Sequence, residues 1–210
     1  MKLEKAGALA LVGGTVAYIG LMAAHPLSPE GGHLFGPIAL NGLVHGVAIV
    51  AAPVLLFGAL ALTRFLGAER ALPLLGLCFY AIGTVAVMGA ASMSGLVMSQ
   101  LVEAAHTPGA GASGVPFQGL ANLTHWINQA FAQVYVAMLS IALLLWSVSW
   151  PGKAWIVRGL GVVIALGTLV WQLSGTLVLN IHGMGAVVLL QALWTFAAAG
   201  ALWRGREDRT

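Results

Sequence analysis

Six long apolar runs leave this chain little choice of fold. They cover Ala6 to Ala24, Ile38 to Leu62, Ala71 to Gln100, Leu120 to Val148, Leu160 to Leu179 and Met184 to Trp203. The hydrocarbon core of a bilayer, about 30 Å thick, is crossed by about 20 helical residues. In that medium each backbone amide must be satisfied within its own segment, which a helix does and an open strand does not. The expected fold class is therefore all-α: a polytopic integral membrane protein, a six-transmembrane-helix bundle forming one domain over residues 1–210. Composition agrees, because 60% hydrophobic and 7% charged residues, with a mean hydropathy of +0.95, do not describe an ordinary soluble domain.

Charge placement gives the orientation. Lys2 and Lys5 precede the first run, Arg64 and Arg70 join the second to the third, Lys153 and Arg158 join the fourth to the fifth, and Arg204, Arg206 and Arg209 follow the sixth. Those are all nine basic residues, and the alternate loops hold none. The positive-inside rule then puts both termini in the cytoplasm. The expected location is a cell membrane, multi-pass, of the bacterial inner-membrane kind, with the remaining loops periplasmic. The high pI follows from this topology; no basic stripe with interleaved aromatics points to nucleic acid.

The first run imitates a signal peptide, with Lys2 and Lys5 ahead of it and Met22-Ala23-Ala24 near a cleavage position. It is longer than the usual apolar region of such peptides, so a retained helix is expected. A single cysteine, Cys78, excludes intrachain disulfides, CxxC redox pairs and c-type haem attachment.

The fourth run carries a polar row. At 3.6 residues per turn, Asn122, His125, Trp126, Gln129, Gln133, Ser140 and Ser147 share roughly a third of the helix circumference. Amides and imidazoles are costly against lipid, so this face is expected to point into the bundle or a wet cavity. The third run has a similar stripe: Tyr80, Thr84, Met88, Ser92, Gly95, Ser99, Glu103 and His106. From Ala71 to His106 a continuous helix would reach about 54 Å, so it is expected either to protrude or to break near Ser92 to Gly95. The fifth run carries Gln172 and ends at Asn180 and His182, and Gly183-Met184-Gly185 is expected to turn into the sixth.

All six histidines, His25, His33, His45, His106, His125 and His182, lie opposite the basic residues. Counted from the cytoplasmic ends, His25, His45, His125 and His182 stand 20, 19, 25 and 24 residues up their helices. At about 1.5 Å per residue, these four share one level within about 9 Å. Asn41, Asn122 and Asn180 closely precede His45, His125 and His182, which suits amides that hold a ligand imidazole in one tautomer. Taken singly, each such histidine reads as an ordinary interfacial residue, and Ser, Thr and Gln stripes read as glue between helices.

Taken together, the imidazoles and scarce carboxylates suit a transition metal: haem iron, copper or zinc. Met22, Met93, Met98 and Met184 on the same side would suit copper, although methionine in such helices usually serves packing. Two Glu-x-x-His spacings, Glu30 to His33 and Glu103 to His106, raise a di-iron site, but the further glutamates it needs are cytoplasmic. HExxH is absent, and no intramembrane Lys exists for a retinal Schiff base.

The resulting expectation is an outward-facing, histidine-lined site for a transition metal or b-type haem that serves membrane redox chemistry. His45, His125 and His182 are the leading ligands, His25 and His106 join the metal set, and His33 is the weakest. Asn41, Asn122 and Asn180 orient them; Trp126, Gln129, Gln133 and Gln172 line the pocket below. The lipid bilayer is the obligatory partner, and a quinone or another membrane redox protein would exchange electrons. A non-catalytic accessory subunit of a membrane complex and a small-molecule transporter are the alternatives.

Overall fold

The computed structural model describes residues 1–25, 37–107, 116–152 and 154–205. Its regular structure among the described residues is all helical: α1 (Leu3–Ala24), α2 (Pro37–Leu66), α3 (Ala71–Ala91), α4 (Met98–His106), α5 (Phe117–Val148), α6 (Trp155–Leu173) and α7 (Ile181–Arg204). A six-residue π-turn, Ser92–Val97, joins α3 to α4, so the third run remains a single 36-residue helix that widens where a break was one expectation. Among the described residues six helices are thus long and apolar enough to cross a bilayer, which is compatible with a multi-pass membrane protein.

Each helix packs on the next, and α7 closes the ring against α1. Small residues permit the closest approaches: a Cβ on Gly7 would collide with Ala61, and one on Gly14 or Gly58 with Leu55 or Leu11 across the α1–α2 seam. Faces turned away from the bundle are apolar; Val50, Val85, Val163 and Val170 are each 66–70% exposed.

The two ends of the bundle differ. At the basic end, the Lys5 ammonium lies 5.4 Å above the Trp203 ring, and Arg70 donates to the Leu66 and Ser149 carbonyls, tying the α2–α3 turn to the end of α5. An aromatic plug fills this half. Trp146 stacks on Trp194 at 6.1 Å and meets Tyr80 at 5.3 Å, while Trp150 abuts Trp194 and Phe65. Both central indoles spend their N–H on carbonyls, Trp146 on Pro73 and Trp194 on Val157, so neither indole donor is stranded.

Helix boundaries depart from the apolar runs around α6. The helix begins at Trp155 and ends at Leu173, where Gly175 turns left-handed (φ +72°) and its N–H reaches the Gln172 carbonyl. Leu177 to Leu179, apolar in sequence, is non-helical. Gly183 to Gly185 sit inside α7, where a turn was expected, because Asn180 starts that helix: its Oδ1 accepts from the His182 and Gly183 amides at 3.1 and 3.0 Å.

Candidate functional site

At the end opposite the basic residues, α1, α2, α3, the π-turn, α5 and α7 line a cavity of about 220 Å³. Two imidazoles meet in it. The His25 and His45 rings are 5.1 Å apart, edge to face at 80°. The thioether-bearing Met22 and Met184 line the same space, with Ser94, Asn128, Gln129 and Asn180 as its polar wall and Tyr18 and Tyr135 toward the bundle centre.

His45 is the most constrained of these groups. Its Nδ1 lies 2.8 Å from the backbone carbonyl of Asn41, one turn earlier. A carbonyl only accepts, so Nδ1 carries the proton and Nε2 keeps a free lone pair. A metal-binding imidazole is commonly held in this way, by a partner on its other nitrogen. The side chain is seated on Gly95, where any Cβ would overlap that of His45. A π-turn displaces the i→i−4 ladder, and here the Ser94 carbonyl accepts from Asn41 Nδ2 at 2.8 Å, with Ser99 Oγ at 3.3 Å. Thus Asn41 orients His45 through its backbone, while its amide clamps α2 to the π-turn.

The remaining predicted site residues are placed as follows. His106, His125 and His182 are exposed, and His33 and Glu30 lie outside the described residues. Asn122 is exposed and accepts from Gln118 rather than meeting His125, and Trp126 is 67% exposed. Gln129 reaches the cavity and donates to the Leu179 carbonyl at 3.2 Å, supporting the non-helical strap before α7. Gln133 is exposed, but its backbone carbonyl accepts from Gln172 Nε2 at 2.9 Å. Asn180 lines the cavity while capping α7. Among the described residues, no group of three or more His, Cys, Asp or Glu is close enough to hold a metal ion.

The polar row of α5 therefore splits: Asn122, His125, Trp126 and Gln133 are exposed, Gln129 faces the cavity, and Ser140 and Ser147 are buried, with Ser147 Oγ against Gly161 of α6. Sequence reasoning passed over Asn128 and Tyr135. Tyr135 follows Ala132 on the buried face of α5 at the inner end of the cavity, and its hydroxyl donates to Gln191 Oε1 at 3.3 Å. An aromatic hydroxyl deep within an apolar run was the available signal.

Compared with known proteins, the chain matches no family model, no curated protein and no solved structure.

Proposed function

We propose that this is a cell-membrane protein with both termini cytoplasmic, whose outer cavity binds a transition-metal ion for membrane redox chemistry. Copper in its cuprous state fits best. The carrying observation is the donor set in one cavity: His25 and His45 beside Met22 and Met184. Imidazole with thioether is a soft set that selects Cu(I), whereas structural zinc sites want four donors drawn from Cys, His and carboxylates. Haem between these two imidazoles is disfavoured, because the rings already touch edge to face and leave no slot for a macrocycle. A one-electron change at copper would be matched by a quinone from the lipid phase or by another membrane redox protein.

The test is X-ray absorption of Cu(I)-loaded, detergent-purified protein. Nitrogen and sulfur scattering together, with the sulfur contribution lost in the Met22→Leu/Met184→Leu double variant, is the expected result. A shell of light atoms unchanged by that variant would refute the donor set. A second reading, an accessory subunit of a membrane complex, is favoured by the exposure of Asn122, His125 and Trp126 at one end of α5. It predicts a stable complex that Trp126→Ala dissolves.

A further inference from the structure

Beneath the histidine cavity lies a second, smaller chamber of about 50 Å³, in the middle of the bundle. Tyr18 and Tyr135 line both spaces. Thr15, Tyr80, Thr84, Gln191 and Thr195 supply the other polar groups, and Trp146 and Trp194 form part of its lining. Gln191 is only 6% exposed, yet its Nε2 has no hydrogen-bond partner among the described residues. Buried amide donors without partners are rare, because desolvation is then uncompensated.

The hydrogen-bond inventory says what could fill the chamber. Tyr18 donates to the Ala48 carbonyl at 3.2 Å, Thr84 to Tyr80 at 2.9 Å, Thr195 to Gln191 at 2.9 Å, and Tyr135 to Gln191 Oε1 at 3.3 Å. Those four hydroxyl hydrogens are thus committed to oxygens, while the Thr15 and Tyr80 hydroxyls, which also line the chamber, make no hydrogen bond among the described residues. What remains is a set of hydroxyl lone pairs, those two hydroxyls and the two N–H groups of the Gln191 amide. A hydrocarbon chain satisfies none of these. A bare cation would take the lone pairs but face the amide hydrogens. Water accepts from the amide and donates to the hydroxyls, so it fits both.

We propose that this chamber is an internal-water site joined to the outer cavity by Tyr18 and Tyr135. At about 30 Å³ per molecule it takes one or two waters. The site stands on Gln191 and the hydroxyl geometry and is independent of which ion the outer cavity binds.

X-ray hydroxyl-radical footprinting of the full chain in detergent tests this, since radicals formed from bound water label the side chains that touch it. Tyr80 and Trp146 line the chamber but not the outer cavity, and both are under 10% exposed. Labelling of both is expected in the wild type and is lost in Gln191→Leu, while Met22 of the outer cavity stays labelled in each. Thr84→Val supplies a second variant, with the same loss expected, should Gln191→Leu fail to fold. Unlabelled Tyr80 and Trp146 in wild-type protein whose Met22 is labelled would overturn the proposal. So would labelling that persists in the folded variants.

Discussion

Replacing Gly95 by alanine should displace His45 and lower stability, whereas the same replacement at Gly46, the next residue along α2, should raise it. A Cβ on Gly95 would overlap the Cβ of His45, an atom fixed to the α2 backbone that no rotamer change can move. The two helices must therefore separate, the situation in which overpacking costs about 2–3 kcal/mol. Alanine's better helix propensity returns about 1 kcal/mol, leaving a net loss of about 1–2 kcal/mol. For a chain of this size that is a fall in Tm of about 2–8 °C. Nothing lies within 4 Å of a Cβ on Gly46, so only the propensity gain of up to about 1 kcal/mol applies there. Thermal melting of both variants in detergent, followed by tryptophan fluorescence, gives the comparison. Gly95→Ala melting at or above the wild type would refute the contact between the π-turn and His45.

Two further outcomes follow from the same geometry. Asn180→Ala removes the side chain that accepts from two amides of α7's first turn and should cost about 0.5–2 kcal/mol, read in the same melting assay; Asn180→Ser should recover most of it. In a Cys78→Ser background, Thr107→Cys should react with an impermeant maleimide on intact cells and Glu69→Cys only after permeabilisation; the reverse pattern would invert the proposed topology.

The chain declares its helices more clearly than its site. Six apolar runs made legible the number of helices long and apolar enough to cross a bilayer, because bilayer thickness is a harsh length rule. Boundaries depended on local chemistry: Gly175 stops α6 within an apolar stretch, and Asn180 starts α7 where glycines read as a turn. Counting residues placed the histidines by height. It could not say which way each faces once helices tilt and a π-turn shifts the register, so His25 meets His45 while His125 and His182 remain exposed. The asparagine motif was likewise ambiguous in mechanism. Asn41 holds its histidine through a backbone carbonyl, Asn180 caps a helix, and Asn122 pairs with Gln118. The thioethers beside the imidazoles were visible as residues on the same side, but their convergence on one cavity required α1 and α7 to be neighbours.

The most direct measurement is copper stoichiometry and affinity, by elemental analysis and by Cu(I) competition with a chromophoric chelator, on wild-type, His45→Ala and His125→Ala proteins. One copper per chain in the wild type, retained by His125→Ala and lost by a folded His45→Ala, is the expected result. No bound copper in the wild type, or loss with His125→Ala and retention with His45→Ala, would contradict a metal site built on the His25–His45 pair.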